Sequence, residues 1–303
     1  MSKTAKELLD NILTREGMYS NISNYFTSTE LHVQENIKIL NALLDELVDT
    51  VNFNEMLEEF TFTTYSEWLE GTQYYQNQIP VYVLQNAMDG YRYRPITSGL
   101  STVSPATLNL KPGQEGQTSD GITWRCEGSW CEYPLDEMIP DYKSISVNTL
   151  VDYTRRLPMI AISDEEWQKR RMYQVKSFNG FYQLRGKRLF LFPGFKDGGE
   201  VSFFYYSNLP VKDSDGVRKQ HVTTNTDEVI LPDLLLTLGT AYKWQKDKGL
   251  STYQELETGY KNLLGTYQAL AKSGKRIKIG KGSATYTKPV PDGFSNSDIV
   301  TGL

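Results

Sequence analysis

The predicted fold depends first on residues 31–50, which read LHVQENIKILNALLDELVDT. Apolar residues recur in and just after this stretch at spacings of three and four, namely Ile37, Leu40, Leu44, Leu47 and Val51. This spacing places the apolar side chains on one face of an amphipathic helix, which we expect over about residues 29–50. Thr27 and Glu30 have the spacing of a capping box just before it.

A shorter helix is expected over about residues 5–13, ending close to Gly17, so the chain is predicted to begin with a helical hairpin. The first sixty residues contain eleven acidic and four basic side chains, which gives this region a net charge of −7. We therefore expect the exposed face of the hairpin to be strongly acidic.

The C-terminal third predicts a second pair of helices. Pro232 is placed where a first-turn proline is tolerated, Gly249 ends the first helix, and Ser251 with Gln254 caps the second. Gly239, inside an apolar helix, suits a close approach of two backbones. The residues expected to pack this antiparallel pair are Leu234, Leu238, Gly239, Tyr242, Leu263 and Tyr267.

Between the helical regions the sequence has the alternation and the β-branched or aromatic content of strands. We expect a helix over about residues 167–175, and an antiparallel sheet from the hairpin 181–192 and the strand 201–206. Further strands are predicted at residues 60–64, 79–84 and 141–148. The predicted fold class is α+β: a helical bundle that carries an antiparallel β-hairpin and sheet element.

We divide the chain into three parts. Residues 1–84 and 135–274 form the helical-bundle core with its β element, and residues 85–134, rich in Gly, Ser, Thr and Pro, form a small β insertion. The core of the insertion is expected to consist of Trp124, Trp130 and Tyr133. Residues 275–303 form a basic linker and an extended C-terminal arm.

Five basic residues cluster at the start of the C-terminal part: Lys272, Lys275, Arg276, Lys278 and Lys281. No acidic residue interrupts them, so they could contact phosphates or an acidic protein surface. The net charge of the whole chain is −5, which argues against a dedicated nucleic-acid binder. We therefore favour docking on protein.

The composition narrows the possible functions. The chain has 303 residues, of which 39% are hydrophobic, and no apolar run approaches the ~20 residues that cross a bilayer, so we predict no membrane partner. With two cysteines and two histidines, a four-ligand zinc site would need nearly every such residue in one place. We predict no metal and no cofactor. The two cysteines, Cys126 and Cys131, are close enough in sequence to bridge, but we expect packed thiols.

Adjacent carboxylates could in principle support glycoside hydrolysis, which needs one acid and one base or nucleophile. The candidate pairs are Glu58-Glu59, Asp136-Glu137 and Glu165-Glu166. Adjacent acids are common on surfaces, and the last pair is explained by its place in the first turn of a helix. We predict that the protein is not an enzyme.

The order of elements and several motifs suggest a family. The motifs are WQKRR at 167–171, RLFLFP at 188–193, VSFFYY at 201–206, and TDEVILP at 226–232 leading into LLTLGTAYKW at 235–244. In this order they resemble the head-to-tail adaptor proteins of tailed bacteriophages, the tail-accessory or head-completion family. The resemblance is best over about residues 147–270 and is absent from residues 90–134.

The resemblance implies a structural virion protein at the head–tail junction, made in the host cytoplasm. About twelve copies would form a ring beneath the portal, around a channel for genomic DNA, and bind a tail nozzle or tail tube protein below. An extended C-terminal arm would dock on the portal. The arm residues that we assign to this contact are Pro289, Phe294, Ile299, Val300 and Leu303.

Two parts of this interpretation stay open. The basic residues from Lys272 to Lys281 would form a subunit interface or line the DNA channel. The insertion departs from the family pattern, and we expect it to contact tail proteins, including tail fibres. The alternative function is a tail-associated peptidoglycan hydrolase or a carbohydrate-binding tail component.

Overall fold

The computed structural model describes residues 3–18, 22–84, 90–146, 149–173, 180–192 and 198–273. These residues form six α-helices and nineteen strands in five sheets. The predicted fold class, a helical bundle with a β element and a small β insertion, is therefore wrong, because β-structure dominates. The physical reason is strand length: eleven of the nineteen strands have two or three residues, too few for a repeating alternation of side chains.

Five of the six helices in the described residues lie close to their predicted positions, and the short helix over Leu135–Met138 was not predicted. The six helices are α1 (Ala5–Arg15), α2 (Leu31–Thr50), α3 (Leu135–Met138), α4 (Asp164–Tyr173), α5 (Asp233–Asp247) and α6 (Tyr253–Ser273). Short 3-10 helices cover Asn54–Met56 and Pro105–Leu108. The last two residues of the helix expected over 167–175 lie outside the described residues. Gly274, which follows α6, lies outside them as well.

The capping box predicted at Thr27 and Glu30 does not form, since Glu30 is the N-cap of α2 and makes no side-chain capping bond. A complete capping box instead begins α1, where Thr4 accepts from the backbone N–H of Glu7 and the Glu7 side chain accepts from that of Thr4. Helix α5 ends at a turn that needs Gly249, whose φ is +71°.

The strands are β1 (Lys3–Thr4), β2 (Leu57–Thr63), β3 (Thr72–Tyr74), β4 (Val81–Leu84), β5 (Gly90–Pro95), β6 (Gly99–Ser101), β7 (Glu115–Gln117), β8 (Thr123–Ser129), β9 (Glu132–Pro134), β10 (Tyr142–Ile145), β11 (Val151–Asp152), β12 (Leu157–Pro158), β13 (Ile160–Ala161), β14 (Phe181–Arg185), β15 (Arg188–Phe192), β16 (Glu200–Ser207), β17 (Val211–Lys212), β18 (Arg218–Lys219) and β19 (Glu228–Val229).

Strand order explains how distant parts of the chain meet. One sheet has the order β1-β19-β17-β18 and joins the N-terminal strand to the segment that precedes α5. In a second sheet, β16 pairs with β2 along its length and with β10 and β11 on its other side, and β12 follows β11. The remaining sheets have the orders β13-β14-β15-β9, β4-β5-β8-β7 and β3-β6.

This arrangement corrects the predicted antiparallel sheet. The hairpin of β14 and β15 forms as expected, but its sheet includes β9 and β13 and does not include β16. Strand β16 instead pairs with β2, with Phe203 opposite Phe60. Strand pairing between segments so far apart in sequence follows from tertiary packing, which local alternation does not report.

Three separate hydrophobic cores hold the described residues together. The first is mainly aliphatic and unites α1, α2, α5 and α6 with Val211 and Val229. The second is rich in aromatic residues and lies between the sheets of β16 and β15. The third is small, consisting of Tyr74, Val81, Tyr93, Ile122, Trp124 and Cys126.

The third core belongs to a unit that we call the module, formed by β3 to β8. It includes Tyr74 and Val81, which come before residue 85. Of the three aromatic residues expected in the core of the insertion, only Trp124 lies there. Trp130 and Tyr133 pack in the second core, where Tyr133 stacks on Tyr65 with ring centroids 4.3 Å apart.

Helix α5 packs against α1, α2 and α6, and Gly239 permits the close approach. A Cβ atom at this position would lie 2.5 Å from Leu43 Cδ2 on α2 and 2.9 Å from Tyr260 Cε2 on α6. Both neighbouring side chains are buried, so neither can move into solvent. The predicted role of Gly239 in close backbone packing is confirmed.

Replacing Gly239 with Ala should therefore destabilise the protein. Overpacking of this kind costs about 1–3 kcal/mol, of which the better helix propensity of Ala returns about 0.5–1 kcal/mol. The matched control is Gly265→Ala in α6, where the added Cβ meets no atom within 4 Å and should stabilise the helix. Urea denaturation of both variants measures the difference, and a G239A protein as stable as G265A would contradict the packing argument.

Candidate functional site

The acidic residues of the N-terminal region are paired with basic residues from the last third of the chain. Lys248 Nζ lies 2.8 Å from a carboxylate oxygen of Glu35, and His221 Nε2 lies 3.0 Å from one of Asp45. Two further ion pairs join Glu46 to Lys243 and Glu58 to Arg218. Three of the eleven acidic residues in the first sixty thus form ion pairs with Lys or Arg, and Asp45 contacts His221, so the exposed face is less acidic than the count of charges predicts.

These cationic partners were not found from the sequence. The signal in the sequence that could have indicated them was the net charge of −7 in the first sixty residues, because an acidic segment favours basic residues packed against it. The relevant residues are dispersed over 218–248, whereas the conspicuous basic run begins at Lys272. The structure places Lys243 and Lys248 on or just after α5, facing α2.

A small cavity lies beside the Glu35 ion pair, between α2 and α5. Its volume is about 190 Å³. The Trp244 indole N–H donates to Glu35 at 3.2 Å, and the hydrogen bond from Lys248 holds the pKa of Glu35 below its ordinary value. The cavity is lined by Glu35, Lys38, Ile39, Trp244, Asp247 and Lys248. Its mixed charges define no single class of ligand.

A second polar group lies where α1 ends against α2. The Asn36 side-chain amide donates to Glu16 Oε2 at 2.9 Å and to the His32 carbonyl at 3.1 Å. Burial raises the pKa of the Glu16 carboxyl from 4.5 to about 7, and the hydrogen bond from Asn36 opposes part of this rise. A neutral carboxyl is therefore favoured here at mildly acidic pH.

Lys143 links the second core to the helices. From β10 its ammonium donates to the carbonyl oxygens of Val48 and Val51, at the C-terminal end of α2. A cation at this end of a helix compensates the partial negative charge of the unpaired carbonyls. Burial lowers the pKa of Lys143, and the nearby Asp49 carboxylate acts in the opposite direction.

A network of charged residues fixes the module to the rest of the protein. Arg92, which is buried, donates to the carbonyl oxygens of Ser129 and Glu132. Arg94 forms two hydrogen bonds with the Glu127 carboxylate, at 2.5 and 3.2 Å. The other groups lie on β5 and β8 of the module, whereas Glu132 lies on β9 of a different sheet. The hydrogen bond from Arg92 to Glu132 therefore links the module to the rest of the protein.

Four of the six carboxylates considered for hydrolysis form hydrogen bonds or ion pairs, whereas Asp136 and Glu137 are exposed. Glu58 binds Arg218, and Glu59 accepts hydrogen bonds from Ser202 and Tyr153. Glu165 and Glu166 form ion pairs one turn along α4 with Lys169 and Arg170. Asp136 and Glu137 lie in the first turn of α3.

The two cysteines are free thiols, and both are buried, Cys126 in the third core and Cys131 in the second. Trp124 and Trp130, whose rings could in principle stack on a sugar, are buried as well, Trp124 completely and Trp130 to 5% exposure. They therefore have no free ring face for a ligand.

The structure places only part of the predicted interaction residues. The arm residues Pro289, Phe294, Ile299, Val300 and Leu303 lie outside the described residues, as do Lys275, Arg276, Lys278 and Lys281. Lys272 belongs to the last turn of α6, but its side chain is not among those described. The docking and channel roles of these residues stay predictions.

The six residues predicted to pack the C-terminal helices have different environments. Gly239 and Leu238 are buried, and Tyr242, Leu263 and Tyr267 are partly buried against the first core. Tyr242 contacts Tyr260, with ring centroids 5.1 Å apart. Leu234 is 47% exposed, so it does not pack between the helices as expected. It lies at the first turn of α5, where the apolar face turns toward solvent.

Large apolar side chains are exposed on several parts of the described protein: Tyr153, Ile160, Phe204 and Val217 are among them, and two further sets lie on the module and on the helices. We call the first set the module surface: its side chains are 51% to 62% exposed and belong to Leu69, Tyr75, Ile79 and Leu100. We call the second the helix surface: its side chains are 43% to 69% exposed and belong to Leu31, Leu234, Leu250 and Leu270. The helix surface is not one continuous patch, because Leu234 lies in the first turn of α5 and Leu250 follows its end. A continuous apolar patch is typical of a surface that binds another protein, whereas singly exposed apolar residues are common.

The turn that carries Tyr75 is held in one conformation. Arg94 donates to the carbonyl oxygens of Asn77 and Gln78, at 3.4 and 3.3 Å, and the backbone N–H of Asn77 donates to Pro95. An aromatic side chain on a fixed turn loses little conformational entropy when it binds a partner.

No protein-family model matches this chain, and no curated protein matches its sequence. Within the described ranges, no helix combines the length and apolar composition needed to span a bilayer. The same residues contain no group of three or more His, Cys, Asp or Glu side chains placed to hold a metal ion.

The Glu58–Arg218 pair should contribute measurably to stability. Arg218 is 12% exposed and also donates to the Leu209 carbonyl, so Arg218→Ala leaves a carboxylate and a carbonyl oxygen without this donor. We expect the free energy of unfolding to fall by about 1–3 kcal/mol. In the control, Lys169→Ala, the exposed pair with Glu165 is removed, and the change should stay within about 0.5 kcal/mol. Equal losses in urea denaturation would show that the buried pair has no special role.

Proposed function

We propose that this protein is a structural connector of a tailed bacteriophage, a head-to-tail adaptor. In this role, copies of the chain form a ring beneath the portal, extend the DNA channel and provide the platform to which the tail attaches. The proposal rests on the resemblance of residues 147–270 to such adaptors and on the distribution of exposed apolar side chains.

The observation that carries the proposal is the presence of apolar surfaces on two separate units. A connector must contact at least two partners, and each contact needs its own apolar patch. The module surface lies on the unit around the third core, whereas the helix surface lies on the helices around the first. We assign the module surface to contacts with tail proteins and the helix surface to contacts with neighbouring copies.

The ion pairs within the chain support an intermolecular role for the basic segment. Glu35, Glu46 and Glu58 already have cationic partners among residues 218–248. They are therefore poor partners for the basic residues from Lys272 to Lys281, whether in the same chain or in a neighbour. We assign an acidic portal surface, or DNA passing through the channel, as the counterpart of these basic residues.

Removing the arm should abolish binding to the portal and leave the fold intact. The three cores of the described protein are formed by residues between Ala5 and Ala271. We therefore expect a chain ending at residue 288 to unfold at the same temperature as the full chain. Binding to purified portal, measured by co-sedimentation and by imaging of rings, should be lost at least tenfold. An arm that orders on binding makes its apolar residues the main source of affinity.

A matched pair of variants separates the apolar contacts from the mere length of the arm. Replacing Ile299, Val300 and Leu303 together with Ser should reproduce the loss, whereas replacing Ser295 and Ser297 with Ala should not. Undiminished portal binding by the truncated chain would reject the arm assignment.

The alternative of a peptidoglycan hydrolase makes a different prediction, and it can be measured on the same preparation. Incubation with purified peptidoglycan should release no muropeptides if the protein is a connector. Release that is lost on replacing one carboxylate, such as Glu59→Gln, would overturn the purely structural proposal.

A further inference from the structure

Glu16 at the end of α1 and Asn36 in the second turn of α2 form a buried polar pair that lacks one hydrogen-bond donor. Glu16 Oε2 accepts from the Asn36 amide, whose second N–H donates to the His32 carbonyl. Glu16 Oε1 and Asn36 Oδ1 are both inaccessible to solvent, and neither has a hydrogen-bond partner among the described residues. Two acceptors of one side-chain pair are thus left unsatisfied.

A single proton on Glu16 satisfies both atoms. A protonated carboxyl carries an O–H donor on one oxygen and keeps an acceptor on the other. Paired with a primary amide, it can donate to the amide oxygen while accepting from the amide N–H. No other arrangement of hydrogens satisfies this pair, because both N–H groups of Asn36 already have acceptors.

We propose that Glu16 and Asn36 form a proton-dependent latch between α1 and α2, closed when the Glu16 carboxyl is protonated and weakened when it ionises. Ionisation leaves a buried carboxylate beside the Asn36 carbonyl oxygen and at the C-terminal end of α1. Both positions are unfavourable for a negative charge, the second because of the helix dipole.

The charged groups around the latch do not offset the free-energy cost of a negative charge on Glu16. Glu35, next to Asn36 on α2, adds a second negative charge, and its own cationic partner Lys248 on α5 is committed to it. Arg15 precedes Glu16 in α1, but its side chain points to solvent. His32 contributes its backbone carbonyl, while its imidazole lies 3.3 Å from Glu30.

The direction of the pH effect follows from linkage. Burial raises the pKa of Glu16 to about 7 in the folded protein, whereas an unfolded chain has the ordinary value of 4.5. The folded state therefore binds the proton more tightly, so stability is highest at low pH and falls as the pH rises from 4.5 through 7. Each pKa unit between the folded and the unfolded state changes the folding equilibrium constant by a factor of ten. Because the Glu16 side chain is partly exposed, we expect a change of about tenfold to a hundredfold.

The test compares the natural chain with Glu16→Gln, which has the donor and acceptor of the protonated acid at every pH. Urea denaturation at pH 5, 6, 7 and 8 gives the folding equilibrium constant of each protein. We expect the ratio of the E16Q constant to the natural one to rise by about tenfold to a hundredfold between pH 5 and pH 8. The control, Glu255→Gln in the exposed first turn of α6, should show a constant ratio.

A second measurement needs no variant to fold. The infrared spectrum of the natural chain should contain the carbonyl band of a protonated carboxylic acid at pH 6, and that band should disappear by pH 8. If E16Q folds, it should lack the band at both values. A constant E16Q ratio across the pH range, or no protonated carboxyl at pH 6, would overturn the proposal.

Discussion

The contact of α5 with three other helices is the constraint on which the rest of the structure depends. At Gly239 the backbone of α5 comes so close to Leu43 and Tyr260 that no side chain fits between them. This approach brings the N-terminal helices α1 and α2 and the C-terminal helix α6 into one core. The strand pair β1 and β19 then closes the same junction with backbone hydrogen bonds.

The ion pairs join the same parts of the chain as this helix packing does. Carboxylates on α2 and β2 face cations that the chain supplies about two hundred residues later, so three of the eleven acidic residues in the first sixty are neutralised within the molecule. This pairing favours partners elsewhere for the basic segment that begins at Lys272, and it leaves the exposed apolar side chains as the surfaces available for assembly. The proposed connector role depends on the exposed apolar side chains. The proposed Glu16–Asn36 latch depends on two buried oxygen atoms that lack a hydrogen-bond donor.

Much of the helical part was predictable from the sequence, and most of the β part was not. The stripe from Ile37 to Val51 and the glycine at 239 report local periodicity and close packing, and both predictions are confirmed. Strands as short as β11 or β17 contain two residues and have no period, so their pairing with β16 or β19 depends on tertiary contacts. The cations that pair with α2 were missed for a similar reason, since an ion pair across the fold has no sequence spacing.

The joining of α1 and α2 with α5 and α6 in one core has a consequence for synthesis on the ribosome. The second and third cores use residues from 60 to 205, so all of their members emerge before α5 does. Leucines of α1 and α2 that are fully buried in the finished protein, such as Leu8 and Leu40, must wait for about two hundred further residues before their cover exists. During that interval the apolar faces of α1 and α2 are exposed, and chaperones bind such surfaces. The first core is completed only when α5 and α6 dock onto α1 and α2.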